Sequence, residues 1–319
     1  MMKSGMQPLE PNNEYKCFNR DGEPMKRALI LAGGGSRGAF HIGVWKYLCD
    51  RNWNPDIICG TSVGAINGAG ICSGLTPEAL ARLWTTTNRQ KMYRLNLMPF
   101  LSWCITGQSS KPILNNQPLQ SIISRQIDFD RIRNSRTRLV VSAVNVHTAQ
   151  PCFFNNEQIR IEHILASSAM PVIFPWQMID GVPHWDGGIM ANIPLQPALE
   201  FGADEIIIVF LSPVGHRPQQ PPGTVREAAE HVFEQFLSGS YQAALTASGC
   251  NDTSQLNPQK KYTRRCKTSG NRTAPPNIVT LAPPKMLGFR SLLNFSIPQA
   301  KKLIDEGYKI AHTKLKPFI

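Results

Sequence analysis

The feature that most constrains the fold of this chain is a local pattern that occurs twice: a short apolar segment ends in glycines and leads directly into a helix. Residues 27–32 are apolar and precede the glycine-rich loop 33–38, after which apolar residues recur at helical spacing from 39 to 51. Residues 56–59 form a second apolar segment, followed by the turn 60–64 and another helical pattern. Buried strands that turn into helices through glycines are typical of α/β proteins with parallel sheets.

The remainder of the chain continues this alternation. Further strands are predicted at 138–146, 205–211 and 278–281. Further helices are predicted at 119–127, 161–168, 195–201, 225–237, 241–247 and 297–315. We therefore predict an α/β fold, a three-layer α/β/α sandwich with a mainly parallel central sheet. Because strands are predicted on both sides of the polar segment 251–276, we expect one domain over 27–319.

Two polar segments are expected to lie outside the core of that domain. Residues 1–26 contain no apolar stretch, which predicts a disordered leader and no secretory signal. No apolar run reaches the roughly 18–20 residues that a membrane-spanning helix needs, so we expect a cytoplasmic location. The formal charge of +12 is concentrated near the C-terminus, where residues 251–319 hold 13 basic and 3 acidic residues. We interpret 251–276 as a basic, mobile insertion, either simply solvated or suited to an anionic membrane surface.

The loop Gly33-Gly34-Gly35-Ser36-Arg37-Gly38 is the first motif with chemical potential. Glycines let its backbone adopt positive φ and let N–H groups converge beside the positive end of a helix, which favours an anion. The loop also matches the dinucleotide pattern G-x-G-x-x-G, which requires an acidic residue about 20 positions later at the end of a strand. Asp56 is near that spacing but begins its predicted strand. An oxyanion-binding loop is therefore favoured over a nucleotide site or a mere tight turn.

Gly60-Thr61-Ser62-Val63-Gly64 is the second such motif. The pattern G-x-S-x-G is common by chance, but here it follows a strand and opens a helix, the context of a nucleophile elbow. Gly60 and Gly64 would permit a sharp turn that exposes the Ser62 hydroxyl, and the helix N-terminus would favour negative charge developing on oxygen. We interpret Ser62 as a nucleophile; the alternative is a serine that only caps the helix.

A serine nucleophile needs a base, and the sequence offers two kinds of candidate. Asp186-Gly187-Gly188 contains a carboxylate, although an Asp-Gly pair alone usually marks a turn. An α/β-hydrolase would instead place a histidine late in the chain. His216, His231 and His312 are available, but none lies in a distinctive motif.

These three motifs, in this order and at about this spacing, resemble the patatin-like phospholipases. The segments Ser167-Ser168-Ala169-Met170-Pro171, Phe174-Pro175 and Asn192-Ile193-Pro194 resemble the surroundings of that family's aspartate. The resemblance runs from about residue 27 to 212, with weaker similarity at 277–311. The leader and the basic insertion match nothing in the family.

The resemblance implies a patatin-like fold and a Ser–Asp dyad that uses no catalytic histidine, no metal and no cofactor. Ser62 would be the nucleophile, Asp186 the base, and Gly60 and Gly64 the glycines of the nucleophile elbow. The oxyanion hole would be formed by the glycine loop, at Gly33, Gly34, Gly35, Arg37 and Gly38. Arg37 would help to hold the loop or would contact a lipid phosphate.

Three functions are compatible with these motifs. The resemblance implies a lipid acyl hydrolase of the phospholipase A type, which would cleave carboxylic esters of membrane phospholipids or related lipids through an acyl–enzyme. An acyltransferase on the same dyad would differ only in the hydroxyl that accepts the acyl group. A non-catalytic nucleotide- or membrane-binding module is disfavoured, because it has no need of Ser62 and Asp186. The basic cluster 260–272 would suit peripheral binding at the inner membrane surface, and no nucleic acid is expected because Tyr262 is its only aromatic residue.

Overall fold

Strands and helices alternate along the chain in the computed structural model, which describes residues 24–96, 105, 112–214, 221–249 and 276–319. The strands are β1 (Arg27–Leu31), β2 (Ile57–Thr61), β3 (Arg94–Leu95), β4 (Leu114–Asn115), β5 (Arg138–Asn145), β6 (Gln150–Asn155), β7 (Gln177–Ile179), β8 (Val182–Asp186), β9 (Glu205–Val209) and β10 (Asn277–Leu281). The helices are α1 (Ala39–Asp50), α2 (Val63–Cys72), α3 (Pro77–Thr86), α4 (Arg89–Met92), α5 (Gln117–Gln126), α6 (Phe129–Arg133), α7 (Ile161–Ser167), α8 (Leu195–Glu200), α9 (Val225–Ala247) and α10 (Ile297–Leu315). Nearly all of the predicted leader and basic insertion lies outside the described residues.

One eight-stranded mixed sheet organises the fold. Strands β10, β9, β1, β2 and β5 pair in parallel in that order, whereas β6 and β8 both pair antiparallel with β5, and β7 pairs antiparallel with β8. Strands β3 and β4 form a separate antiparallel pair. The sheet is therefore parallel from β10 to β5, the strands that the sequence predicts. It is antiparallel where β5 pairs with β6 and β8 and where β7 pairs with β8.

Apolar residues cover both faces of the parallel strands. In β1, Leu29 and Leu31 pack on one face with helices α1, α3, α5 and α10, whereas Ala28 and Ile30 pack on the other face with α8 and α9. Because side chains alternate along a strand, a continuous apolar run supplies two cores. The prediction of a three-layer α/β/α sandwich is confirmed.

The structure corrects two details of the predicted elements. Residues 225–237 and 241–247 form one continuous helix, α9, rather than two. Gly239 weakens a helix interior, but the buried residues Leu237, Tyr241 and Leu245 hold both halves of the helix against the sheet. Strands β6, β7 and β8 were not predicted, because their prolines, asparagines and short lengths resemble loop sequence.

In the ranges that the structure describes, no helix combines the length and apolar composition needed to span a bilayer.

Candidate active site

Ser62 lies in the turn between β2 and α2 with φ 55° and ψ −122°, a backbone conformation that non-glycine residues rarely adopt. A side chain at Gly60 would overlap the backbone of Gly64, and a side chain at Gly64 would overlap the carbonyl of Leu31. These two glycines therefore allow α2 to start directly against the sheet. The Ser62 N–H donates to Ser167 Oγ at 2.8 Å, which ties the turn to α7.

The register of β5 places Asp186 beside this turn. Strand β2 pairs with the first part of β5 and ends with Thr61 opposite Ser142, whereas β8 pairs with the last part and ends with Asp186 opposite Ala143. Strand β6 pairs with β5 over residues 140–145 and thus occupies its other edge. The carboxyl ends of β2 and β8 consequently meet at adjacent positions of a single strand edge.

The Asp186 carboxyl is 3% exposed, and no ion pair to it forms within the described ranges. Burial raises its pKa from 3.8 to about 7, although two hydrogen bonds oppose this shift by stabilising the ionised form. One comes from the Gly188 N–H, which donates to Asp186 Oδ1 at 2.7 Å, and the other involves the Ser62 hydroxyl. A buried carboxyl whose pKa is raised towards neutrality, and which lines the same cleft as a serine, is a candidate general base.

The glycine loop lies against Ser62, since a side chain at Gly33 would lie 3.3 Å from Ser62 Cβ. The Gly33 N–H is already used, because it donates to Asn192 Oδ1 at 3.0 Å, and the Arg37 N–H donates to Gly34 O at 3.2 Å. The N–H groups of Gly34 and Gly35 have no hydrogen-bond acceptor in the described part of the chain. These two amides, like that of Ser36, are available as donors, and Gly35 lines the cleft that contains Ser62.

Gly38 contributes to packing. A side chain there would overlap Val63, and the Gly38 carbonyl accepts a hydrogen bond of 2.9 Å from Asn67 Nδ2. The residue therefore permits the close approach of the loop to α2.

The Arg37 side chain is fully buried and holds the loop rather than reaching a ligand. Its guanidinium forms an ion pair of 2.6 Å with Glu234 and donates to the carbonyls of Gly288 and Leu211 at 3.0 and 3.2 Å. Ser291 Oγ accepts a further hydrogen bond of 2.7 Å. Of the two roles expected for Arg37, contact with a lipid phosphate is wrong, because these partners occupy its donors inside the protein.

The structure also disfavours a dinucleotide site at the glycine loop. Asp56 lies at the opposite ends of the strands, where its carboxylate accepts from the Arg27 N–H at 2.8 Å. The turn Phe289–Leu292 covers the loop, since Ser36 Oγ donates to Ser291 O and a side chain at Gly35 would overlap the Leu292 carbonyl. A nucleotide would lack its ribose partner, and the turn occupies part of the space over the loop.

Ser62, Asp186 and Gly35 line one cleft of about 700 Å³, including its open mouth. The other walls are almost entirely apolar and include Met170, Ile173, Phe174, Phe289, Leu292 and Phe295. No histidine of the described ranges lines this cleft; His231 and His312 lie elsewhere, and His216 is outside those ranges. The cleft therefore combines an apolar surface with two serines, Ser62 and Ser168, one carboxyl and the glycine loop at Gly35.

Comparison with known proteins identifies the family. Residues 29–199, which contain all three motifs, match the family model described as patatin-like phospholipase. The chain belongs to the patatin-like phospholipase family.

Individual known proteins are also similar to this chain. The chain is 29% identical over 207 residues to a cGAMP-activated phospholipase of Escherichia coli (strain TW11681), covering 54% of each chain. It is 28% identical over 216 residues to the uncharacterized protein YjjU of Escherichia coli (strain K12), covering 65% of this chain and 57% of that protein. The chain thus spans little more than half the length of these relatives. The crystal structure of VipD from Legionella pneumophila superposes with a TM-score of 0.47 and 14% identity, covering 99% of this chain and 72% of VipD.

Two residues of this patatin-like site carry roles that the sequence analysis did not assign. Asn192 is 1% exposed and holds Gly33 next to Ser62, and Ser167 accepts the hydrogen bond from the Ser62 amide. Both belong to segments that resemble the family, which was the only available signal. Their functions depend on contacts between residues more than 100 positions apart, which local patterns do not reveal.

Proposed function

We propose that this chain is a lipid acyl hydrolase that cleaves carboxylic esters of phospholipids or related lipids, with Ser62 as nucleophile and Asp186 as general base. The observation that carries this proposal is that Ser62 and the buried carboxyl of Asp186, which forms no ion pair with the described residues, line the same apolar cleft. Such a cleft accommodates acyl chains, and the two side chains supply what ester cleavage requires.

In the proposed reaction, Asp186 accepts the hydroxyl proton as Ser62 Oγ attacks the ester carbonyl carbon. The resulting tetrahedral intermediate collapses, the C–O bond to the alcohol breaks, and the alcohol leaves with the proton from Asp186. Water then attacks the acyl–Ser62 ester while Asp186 accepts its proton. The fatty acid departs, and the proton returns to Ser62 Oγ.

The negative oxygen of each tetrahedral intermediate would be stabilised by the N–H groups of Gly34 and Gly35. This assignment is supported by their lack of other acceptors and by the position of the loop against Ser62. Removing one such donor typically costs a factor of roughly 10²–10³ in rate. The positive φ of Ser62 keeps Oγ in position before the substrate binds.

Binding to a membrane surface is the second part of the proposal. Two large apolar side chains are exposed: Phe289, which lines the cleft, is 45% exposed, and Trp176, two positions after the cleft-lining Phe174, is 53% exposed. Aromatic side chains of this kind insert favourably at the interface of a bilayer. The basic cluster 260–272 lies outside the described residues and remains a proposed contact with anionic headgroups at the inner membrane surface.

The test combines covalent labelling by a fluorophosphonate with fatty-acid release from phospholipid vesicles. We expect one adduct by intact mass and release of fatty acid for the wild type, and neither for Ser62→Ala. Asp186→Asn should lose a factor of roughly 10²–10⁴ in hydrolysis, because it cannot accept the proton. Ser124→Ala, at an exposed position of α5, is the matched control and should behave as wild type.

Other outcomes would favour the alternatives. Labelling without fatty-acid release, but with acyl transfer to an added alcohol, would indicate an acyltransferase. A folded wild-type protein that is neither labelled nor active would contradict an enzymatic role for Ser62.

A further inference from the structure

We propose that a second apolar cavity, behind the cleft, binds the acyl chain of the substrate and sets the preferred chain length. This inference rests on the proposed function, because it assigns a role in the same reaction. The second cavity has a volume of about 600 Å³ including its open end and lies between helices α2, α3 and α5. Its apolar lining includes Leu75, Leu80, Leu83, Trp84, Ile122 and Ile123.

The second cavity adjoins the cleft that contains Ser62. Five residues line both spaces, namely Val63, Ile66, Met92, Leu119 and Phe295. Only the side chains of a few apolar residues therefore separate the two spaces. Val63 follows Ser62 directly in the chain, so an acyl group on Ser62 Oγ begins next to this wall. Met92 is unbranched and adapts its shape readily, so the wall can yield to a chain that passes it.

The lining of the second cavity favours a hydrocarbon over a headgroup, because it is apolar apart from Asn67, Thr87 and Gln126. Asn67 is a buried polar residue in its lining, and its side chain is fully engaged. Asn67 Nδ2 donates to the Gly38 carbonyl at 2.9 Å and contacts His41 Nδ1 at 3.2 Å, while Asn67 Oδ1 accepts from Trp84 Nε1 at 3.1 Å. A polar ligand would lose its hydrogen bonds to water in this cavity and gain no hydrogen bond from Asn67. An acyl chain forms no hydrogen bonds with water and therefore loses none.

Chain length should therefore affect the reaction strongly. Burial of each methylene group favours binding by about fourfold, so a chain that enters the second cavity gains a large advantage over one that ends in the cleft. Residues that line only the second cavity can change this preference without touching Ser62 or Asp186. Ile122 is such a residue, half-buried on α5.

The experiment measures kcat/KM of Ile122→Trp for p-nitrophenyl butyrate and p-nitrophenyl palmitate. The added indole should fill the second cavity, so the ratio of palmitate to butyrate turnover is expected to fall at least tenfold relative to wild type. Ser121→Trp is the matched control, because Ser121 is exposed on the same helix and lines neither space. It should keep the wild-type ratio.

An unchanged ratio in folded Ile122→Trp would overturn the inference while leaving the proposed function intact. If the wild type hydrolysed neither ester, the proposed function itself would be refuted. Should Ile122→Trp fail to fold, as judged by its Tm, Ile122→Ala decides. This variant enlarges the second cavity and is expected to shift the preferred acyl length upward, and an unchanged preference would overturn the proposal.

Discussion

Arg37 and Asp186 are both buried near the glycine loop, and they differ in whether an opposite charge accompanies them. The Arg37 guanidinium has Glu234 at 2.6 Å and several carbonyl and hydroxyl acceptors. The Asp186 carboxyl has only the Gly188 N–H and the Ser62 hydroxyl as the partners identified for it. Both groups are buried away from water, but only the Arg37 guanidinium has an ion-pair partner and several hydrogen-bond acceptors in its place.

This difference separates a structural charge from a reactive one. A buried ion pair with satisfied hydrogen bonds keeps its charge and fixes the geometry of the groups around it. A buried carboxyl without a cation loses and gains its proton near neutral pH, as the raised pKa of Asp186 indicates. Arg37 can thus position the loop, whereas Asp186 would move a proton in the proposed mechanism.

The largest expected effect comes from breaking the ion pair. Arg37→Met would leave Glu234 buried without a counter-charge, and Glu234 Oε2 already lacks a hydrogen-bond partner within the described residues. We expect the free energy of unfolding to fall by roughly 3–5 kcal/mol, measured by urea denaturation.

A double-mutant cycle with Glu234→Gln supplies the control for this prediction. If the two charges stabilise each other, the double variant should lose clearly less stability than the two single variants together. Additive losses would show that the pair does not act as a unit.

The second prediction concerns the Asp186 carboxyl, which forms no ion pair with the described residues. The pKa of Asp186 is about 7 in the folded protein, against an ordinary value of 3.8. The protonated carboxyl therefore contributes fully to stability below about pH 4, and this contribution is lost as the pH rises through 7. Asp186→Asn cannot ionise. We therefore expect it to be more stable than wild type at pH 8, by up to about 4 kcal/mol, and by less at pH 5.

Urea denaturation at both pH values measures this difference. Asp305→Asn, at an exposed position of α10, is the control and should show no comparable dependence on pH. Equal effects of Asp186→Asn at pH 5 and pH 8 would contradict a raised pKa.

The smallest expected effect is the pH dependence of catalysis. If Asp186 acts as the base, kcat/KM for a short-chain ester should rise about tenfold per pH unit below about pH 7 and level off above it. Samples incubated at each pH and then assayed at pH 8 control for unfolding. If kcat/KM instead levelled off above about pH 4, the reactive carboxyl would have the pKa of an exposed aspartate, which would contradict the prediction.

Much of the part of the fold that carries Ser62 could be predicted from the sequence. Helix α10 has the predicted bounds, 297–315, because its apolar residues keep a regular helical spacing. The strand–turn–helix around Ser62 was predicted because glycines and apolar runs are local signals. The antiparallel strands that carry Asp186 were not predicted, because β8 contains a proline and ends in Asp-Gly-Gly. The pairing of Ser62 with Asp186 was expected only from the family resemblance.

The sequence by itself determined the alternation of strands and helices, the glycine loop and the strained turn at Ser62, because each depends on residues close together in the chain. Only the tertiary structure decided that β2 and β8 meet on one edge of β5, at Ser142 and Ala143. It also decided that Arg37 pairs with Glu234, while Asp186 is buried with no ion pair to any residue that the structure describes. Strand register and burial depend on residues far apart in the chain, such as Thr61 with Ser142 and Arg37 with Glu234. These contacts, rather than the motifs, determine which buried side chain has an opposite charge beside it.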